Sequence, residues 1–203
     1  MSLTALPALA EAAPRRYYRD ERRYERYDDR DYNGHDGLFL RVAVGAGGVG
    51  ANDELNDLTL SGGAGLFSLD LGGAVAPDLA LHGRLSVNSM FEPTISSGGD
   101  DLGDLDDTSL TFSLLGAGLT YYLPSNLYLT GVLGLSRASF ELDGDEYDAL
   151  NGIGFIGDLG YEWQLARDWG IGVAGRLELH SVQGDGEELQ TAALGVLVNL
   201  TYF

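Results

Sequence analysis

Hydrophobic and polar residues alternate along most of the chain from residue 37 onward. In the first such segment, Leu40, Val42 and Val44 fall on one face, whereas Arg41 and several small residues fall on the other. A period of two residues is that of a β-strand, whose successive side chains point to opposite faces. The pattern recurs along the chain and predicts eight strands, over about 38–49, 58–75, 79–91, 109–123, 127–140, 153–164, 169–180 and 190–203.

The connections between the predicted strands alternate in length. Three are short (76–78, 124–126 and 165–168), and four are long (about 50–57, 92–108, 141–151 and 182–189). Short turns at one end and long loops at the other are typical of up-and-down barrels of the outer membrane. We therefore predict an all-β fold, an eight-stranded antiparallel up-and-down transmembrane β-barrel over residues 37–203.

Two of the predicted strands are less regular than the others. The first half of the second strand is out of phase with its second half, which predicts a β-bulge near Gly62–Gly65. Both faces of the fourth strand are apolar, so the pattern leaves open which of them points outward.

Residue composition favours a membrane barrel over a soluble one. The polar face of the strands is rich in Gly, Ala and Ser, and the chain has 30 Gly and no Lys, whereas a water-facing surface would be dense in Lys and Glu. Aromatic residues cluster beside the short turns and the C-terminus, as in the aromatic girdles of membrane interfaces. The predicted interface aromatics are Tyr121, Tyr122, Tyr128, Tyr161, Trp163, Trp169, Tyr202 and Phe203.

Charge is segregated along the chain. The four long connections hold 17 acidic residues and no basic residue, and the formal net charge of the whole chain is −19. Nucleic acid is excluded as a partner, because binding phosphates requires a basic face. A membrane helix is excluded as well, since no window approaches the roughly 18 to 20 continuous apolar residues that such a helix needs.

The N-terminal residues differ in character from the rest of the chain. Residues 1–14 are rich in Ala and Leu, and Ala8-Leu9-Ala10 fits a small-residue cleavage site, so we interpret this stretch as the remnant of a signal peptide or as a disordered end. Residues 15–36 are a low-complexity tract of Arg, Tyr and acidic residues. They predict a disordered leader, because the tract has almost no aliphatic side chain with which to form a core.

The chain resembles the small eight-stranded outer-membrane β-barrels of Gram-negative bacteria, of the OmpA and OmpX type. The resemblance covers residues 37–203 and is carried by the segments 76–81, 121–128, 160–163 and 169–172 and by the terminal Tyr202-Phe203. It implies insertion by the outer-membrane assembly machinery, which reads a C-terminal aromatic residue. This chain departs from the usual signal, because Thr201 and Asn199 occupy the alternate positions counted back from Phe203. The apolar set is instead Tyr202, Leu200, Val198, Val196 and Leu194.

Charged residues recur on the face predicted to point inward. Three are basic and four are acidic, so they nearly neutralise one another: Arg41, Asp70, Arg84, Asp158, Glu162, Arg176 and Glu178. Since a buried unpaired charge is costly, we predict two ion-pair clusters, one from the first three strands and one from the sixth and seventh. The clusters fill the interior of the barrel in this interpretation. A water-filled path along the charges is the alternative.

The acidic connections are the strongest functional lead in the sequence. Two clusters of carboxylates, within residues 98–107 and 143–146, could bind Ca²⁺ or Mg²⁺ loosely. Neither cluster has the spacing of a helix-loop-helix calcium site. Such cations would bridge the barrel to the phosphates of lipopolysaccharide. The residues are Asp100, Asp101, Asp104, Asp106, Asp107, Asp143, Asp145 and Glu146.

We find no signature of catalysis or of a firm metal site. His180 and Ser181 are consecutive on a strand and point to opposite faces, so they cannot act together as base and nucleophile. We therefore predict a monomeric, non-enzymatic barrel of the bacterial outer membrane, with a periplasmic leader, acidic extracellular loops, and a structural or surface-interaction role. Its lipid partners would be outer-membrane lipid and lipopolysaccharide. The alternatives are a porin-like narrow pore or lateral path for small or hydrophobic solutes and, less favoured, a lipid-modifying enzyme of the outer leaflet.

Overall fold

A computed structural model of the protein describes residues 37–53, 58–91, 94–97, 100–104, 108–142, 145–146, 150–184 and 187–203. The predicted segments 1–14 and 15–36 lie outside these ranges. The strands are β1 (Leu38–Asp53), β2 (Leu58–Ala76), β3 (Leu79–Phe91), β4 (Thr94–Ser97), β5 (Asp100–Asp104), β6 (Thr108–Tyr122), β7 (Leu127–Leu142), β8 (Asp145–Glu146), β9 (Leu150–Ala166), β10 (Trp169–Gly184) and β11 (Glu187–Tyr202). No helix in the described ranges is long and apolar enough to cross a bilayer.

Eight long strands close into an antiparallel barrel. In order around the wall they are β1, β2, β3, β6, β7, β9, β10 and β11, and β11 pairs with β1 to complete the ring. In this closing pair Leu40 lies opposite Tyr202, and Asp53 lies opposite Leu189. Closure leaves the long strands without a free edge. The predicted all-β fold of eight antiparallel strands is confirmed.

The short turns gather at the end where β1 begins and β11 ends. In the turn between β6 and β7, the Asn126 backbone amide donates to the Leu123 carbonyl at 3.1 Å. Asn126 has a φ of 63°. Asn tolerates this left-handed conformation better than most residues, because its short side chain can hydrogen-bond locally. The residue type at this position thus suits the tight reversal between the two strands.

At the opposite end the long strands extend beyond the alternating segments of the sequence. β1 and β2 pair without interruption from Leu38–Gly73 to Asp53–Leu58. Beyond them, β4 pairs with β2, β5 with β4, and β8 with β7. Backbone hydrogen bonds do not need apolar alternation, so the ladder continues where the apolar pattern stops.

The predicted bulge near Gly62–Gly65 is wrong. The β1–β2 register shows no shift there, and Ala64 and Leu66 of β2 are buried inside the barrel. Because the interior is apolar at this level, apolar residues on the inward phase need no change of register. The irregularity in β2 lies instead between Ala74 and Ala76, opposite β3.

The outer wall carries a continuous apolar belt. Its side chains are exposed although they are aliphatic or aromatic, and they come from all eight long strands. The surface of a water-soluble barrel would not present so wide an apolar area, whereas lipid would cover it. Examples are Val44, Leu71, Leu85, Leu115, Leu133, Leu135, Ile153, Leu159, Leu177, Leu194 and Val196.

Candidate functional site: the barrel interior

The interior of the barrel is layered. Next to the short turns lies an aromatic layer made by Phe39, Ala80, Tyr122, Tyr128 and Ala174, with Phe203 packed against it. A belt of charged and polar side chains follows in the middle. Towards the long connections the lining is apolar: Val49, Ala51, Ala64, Met90, Leu110, Phe112, Ala138, Leu150, Val182, Leu189 and Ala193.

Two guanidinium groups cross the lumen in the middle belt. Arg84 on β3 binds both oxygens of Asp70 and donates to Asp158 Oδ2 at 2.6 Å. Arg176 on β10 donates to both oxygens of Asp158, at 2.7 and 3.1 Å. Asp158 on β9 therefore joins the two arginines, and its two neighbours bind it through several hydrogen bonds. In each case one guanidinium binds both oxygens of one carboxylate, the geometry in which a buried ion pair best offsets the cost of removing its charges from water.

The belt continues from Arg176 to Glu178. Arg176 Nη1 lies 3.4 Å from Glu178 Oε1. The side chain of Glu178 also accepts from Ser86 at 3.3 Å and from Asn88 at 3.1 Å. Arg176 in turn donates to Ser68 at 2.9 Å. Small polar side chains from β2 and β3 thus complete the hydrogen bonding of charges carried by β10.

A second group surrounds Arg41, closer to the short turns. Arg41 donates to the Tyr122 hydroxyl and to Glu162 Oε2, the latter at 3.4 Å, and its guanidinium lies 4.1 Å from the centre of the Tyr128 ring. Glu162 also accepts from Thr201 at 2.7 Å and from Asn199 at 3.1 Å. This group connects β1, β6, β7, β9 and β11, which lie on different sides of the barrel.

The seven predicted interior charges all lie inside, but they group differently from the prediction. We expected Arg41, Asp70 and Arg84 to pair among adjacent strands. Arg84 does pair with Asp70 of the adjacent strand, but it also reaches across the lumen to Asp158, and Arg41 pairs across the lumen with Glu162. The physical reason is the narrow bore of an eight-stranded barrel, in which a long Arg side chain meets the opposite wall.

Glycines on the inward face make room for large side chains. A Cβ added at Gly160 would lie 2.6 Å from the Tyr128 hydroxyl oxygen, and one at Gly154 would lie 2.7 Å from His180 Nδ1. Both glycines belong to β9, and the two aromatic rings lie across that strand. Part of the high Gly content therefore serves the packing of interior residues.

A Ser–His–Glu series lies at the border between the polar belt and the apolar layer. Ser136 Oγ is 2.7 Å from His180 Nδ1, and His180 Nε2 is 3.5 Å from Glu178 Oε2. The three side chains are buried, and the His180 ring stacks on Phe112. Such groups can exchange a proton, but apolar side chains cover them from the long-connection end. These contacts provide hydrogen-bond partners for the buried side chains of Ser136, His180 and Glu178. Ser181, the residue next to His180 in the sequence, takes no part in them.

Three of the predicted interface aromatics lie inside the barrel. Tyr122 and Tyr128 are buried, and Phe203 packs against the same layer, with its ring 5.6 Å from that of Tyr122. They point inward because they share the phase of Thr120, Thr130 and Thr201, which are buried in the lumen. The remaining five lie on the outer wall near the short turns, at Tyr121, Tyr161, Trp163, Trp169 and Tyr202.

Sequence reasoning missed most of the uncharged members of the network. They are Ser68, His82, Ser86, Asn88, Thr120, Thr130, Ser136, His180, Asn199 and Thr201, all buried. A usable signal was present for Ser68, His82, Ser86, Asn88 and His180, because each has the same strand parity as a predicted interior charge on its own strand. On β6, whose facing the sequence pattern leaves open, the structure places Gly118 and Thr120 inside and Leu115 and Leu119 outside.

The acidic residues predicted to bind cations lie outside the described residues or have only their backbone described. Asp106, Asp107 and Asp143 lie outside the described residues. Asp100, Asp101 and Asp104 belong to β5, and Asp145 and Glu146 form β8; for these the structure describes the backbone strand only. Within the described part of the chain, no three His, Cys, Asp or Glu side chains are placed to hold a metal ion.

Comparison with solved structures found several proteins that are similar to this chain. Neisserial surface protein A is 18% identical, with 81% of this chain and 98% of that chain covered and a TM-score of 0.54. OprG from Pseudomonas aeruginosa is 14% identical (85% and 98% covered, TM-score 0.48), and Ail from Yersinia pestis is also 14% identical (81% and 99% covered, TM-score 0.45). No family model and no curated protein matches the chain. The chain has the fold of the small eight-stranded outer-membrane β-barrels.

Proposed function

We propose that this protein is a monomeric, non-enzymatic outer-membrane barrel with a filled interior and a structural or surface-interaction role. The observation that carries the proposal is the ion-pair belt of Asp70, Arg84, Asp158, Arg176 and Glu178, which spans the lumen between an aromatic and an apolar layer. Each of these five side chains is almost fully buried. A conducting pore would instead need charges that contact water along its length.

Conductance of the purified barrel in a planar bilayer tests this proposal. We expect no steady open channel in concentrated potassium chloride, because the belt closes the lumen. A large porin reconstituted in the same bilayer serves as the positive control. A steady channel, carried by the folded barrel and lost on its thermal unfolding, would contradict the filled interior.

The orientation follows from the same proposal. The short turns and the leader would face the periplasm, and the long acidic connections would face the cell exterior, where Ca²⁺ or Mg²⁺ could bridge them to lipopolysaccharide phosphates. The assembly machinery of the outer membrane would insert the barrel. A melting temperature that rises with millimolar Ca²⁺, and rises less when Asp100, Asp101 and Asp104 are changed to Asn, would support the cation bridge.

A second candidate function is a path for hydrophobic solutes. The observation in its favour is the apolar lining of the interior towards the long connections, which includes Met90, Leu110 and Phe112. A hydrocarbon could dissolve there only if these side chains moved apart. Methyl resonances of Met90 and Leu110 that shift on addition of dodecane, while the methyl resonance of Val132 deeper in the barrel does not, would favour this second candidate.

A further inference from the structure

The apolar belt on the outer wall is short on β6. It begins at Tyr121, near the short turn, and ends at Ser113, and eight positions of strand separate these two residues. Beyond Ser113 the outward face continues with Thr111 and Ser109, so the wall stays polar from there on. Three outward-facing residues lie between the two limits, and all three are apolar: Leu115, Ala117 and Leu119.

The same belt is taller on β9, β10 and β11, and β11 lies opposite β6 in the ring. On each of these three strands, twelve positions separate an aromatic residue near the short turns from the first polar residue on the outward face. The five outward-facing residues in between are aliphatic, aromatic or glycine. The two limits are Trp163 and Asn151 on β9, Trp169 and Ser181 on β10, and Tyr202 and Gln190 on β11.

The strands adjacent to β6 have belts of intermediate height. On β3 ten positions separate Leu79 from Ser89, and on β7 ten positions separate Leu127 from Arg137. Arg137 is exposed on the outer wall and lies opposite Ser113 in the strand pairing. An exposed arginine is unfavourable in hydrocarbon at any depth away from the interface. The polar limit of β6 is therefore shared by its neighbours.

The difference in strand length is a difference in height across the bilayer. Strands rise about 3.3 Å per residue and tilt by about 35–45° in membrane barrels, so eight positions span about 20 Å and twelve span about 30 Å. Exposed Leu123 lies beyond Tyr121, and exposed Leu165 lies beyond Trp163, so counting them lengthens β6 and β9 equally. A tilt of the whole barrel moves both limits of a strand together and leaves the difference in place.

We propose that the barrel holds the bilayer thinner beside β6 than beside β9, β10 and β11, and that lipids with short acyl chains fit the wall formed by β3, β6 and β7. A bilayer adapts to a short apolar span by local thinning, because this costs less than immersing polar side chains in hydrocarbon. The inference rests on the proposed membrane location and adds to it the lipid that each side of the barrel fits.

Nitroxide labels on single cysteines test the inference in the full chain, which has no Cys of its own. The variants S113C, Y121C, A117C and S181C are labelled and folded into dioleoylphosphatidylcholine vesicles. Accessibility to a nickel complex reports head groups and water, and accessibility to oxygen reports hydrocarbon. We expect the ratio of nickel to oxygen accessibility at positions 113, 121 and 181 to be several-fold higher than at position 117.

A flat bilayer predicts a different result. If its hydrocarbon were as tall as the belt on β10, at least one of positions 113 and 121 would lie inside it, whatever the tilt of the barrel. The label at that position would then show a ratio close to that of position 117.

A pair of leucine variants tests the same inference through folding. T111L/S113L extends the belt on β6 to the twelve positions found on β10. We expect it to lower, several-fold, the preference of the chain for folding into dilauroyl over dioleoylphosphatidylcholine vesicles. The matched control is S181L/Q183L, which extends a belt that is already tall and should leave that preference as in the unmodified chain.

The outcomes separate this inference from the proposed function. If the label at position 113 or 121 shows the hydrocarbon signature of position 117, local thinning is overturned and the membrane barrel stands. The same holds if T111L/S113L and S181L/Q183L change the folding preference equally. If position 117 is as accessible to nickel as position 181, the outer wall does not contact hydrocarbon, and the membrane location itself is overturned.

Discussion

At the scale of single residues, Arg84 depends on two carboxylates at once. It binds Asp70 through two nitrogens and Asp158 through a third, and it is 1% exposed. When Asp70 is changed to Asn, the pair of charges next to Arg84 is broken inside the barrel, where water cannot replace it. Breaking a buried pair in this way costs about 3–5 kcal/mol, so we expect D70N to lower the free energy of unfolding by about that amount.

Equilibrium unfolding by urea in lipid vesicles measures this change. The matched control is D78N, in the short turn between β2 and β3, where the side chain is only half-buried and the change should be close to zero. Equal stabilities of D70N and the unmodified barrel would mean that the ion-pair belt does not hold the lumen together.

Gly160 offers a test of interior packing at a single residue. A methyl group there would collide with the Tyr128 ring, whose hydroxyl donates to Asn199 at 2.8 Å. We expect G160A to displace Tyr128 and to cost about 1–3 kcal/mol, the usual effect of overpacking. In the control G131A the new methyl group has open space, since the outward face of Gly131 has no atom within 4 Å. The same urea titration checks both, and equal stabilities would contradict the packing role of Gly160.

At the scale of elements, β11 closes the barrel and directs Phe203, the residue that follows it, inward. The outer wall exposes Leu194, Val196, Val198 and Leu200, and the alternate residues Asn199 and Thr201 are buried. Phe203 is the next residue on the same side as Thr201, so its side chain points inward. The Phe203 amide donates to the Asp168 carbonyl at 3.0 Å, and its ring approaches those of Phe39 and Tyr122. The terminal residue therefore completes the aromatic layer.

We expect F203A to destabilise the folded barrel by about 1–3 kcal/mol, because the aromatic layer loses a partly buried ring. F203L keeps most of the apolar volume and should cost less than half as much. Thermal unfolding in detergent compares the folded states without the assembly machinery. If F203A melts at the temperature of the unmodified protein, the ring contributes to assembly alone.

At the scale of the whole molecule, the same wall carries the apolar belt on its outer surface and the charged side chains on its inner surface. Leu133 lies in the middle of the belt on β7 and is 66% exposed. An Arg at this depth of a bilayer costs about 2–4 kcal/mol, so we expect L133R to reduce the free energy of unfolding in vesicles by that amount. The control L123R places the same charge in a short turn, where the cost should be near zero. A similar effect of both substitutions would argue against a bilayer around the belt.

Much of this architecture was readable from the sequence. Alternation around Arg41, Asp70, Arg84 and Arg176 identified the inward phase of their strands, because a charge in a narrow barrel within a membrane is stable only on the inside. The alternating turn lengths likewise predicted an antiparallel up-and-down order. On β11 the apolar set ending in Tyr202 already indicated which side faces outward.

The positions of Tyr122 and Tyr128 could not be inferred in the same way. An amphipathic ring beside a short turn is stable either at a membrane interface or inside the lumen, provided that its hydroxyl finds a partner. Arg41 and Asn199 supply those partners, and they come from strands far away along the chain. Likewise, the bulge predicted near Gly62–Gly65 assumed a polar interior throughout, whereas the lumen at that level is apolar.

By itself, the sequence determined the number and order of the eight long strands and the inward side of the seven interior charges, because these follow from local periodicity and from the cost of a charge in hydrocarbon. Only the tertiary structure decided which charges pair across the lumen, which aromatic rings enter the lumen, and that Ser136 meets His180. Those contacts depend on how the closed wall brings opposite strands within reach of a side chain. Periodicity along one strand carries no information about that distance.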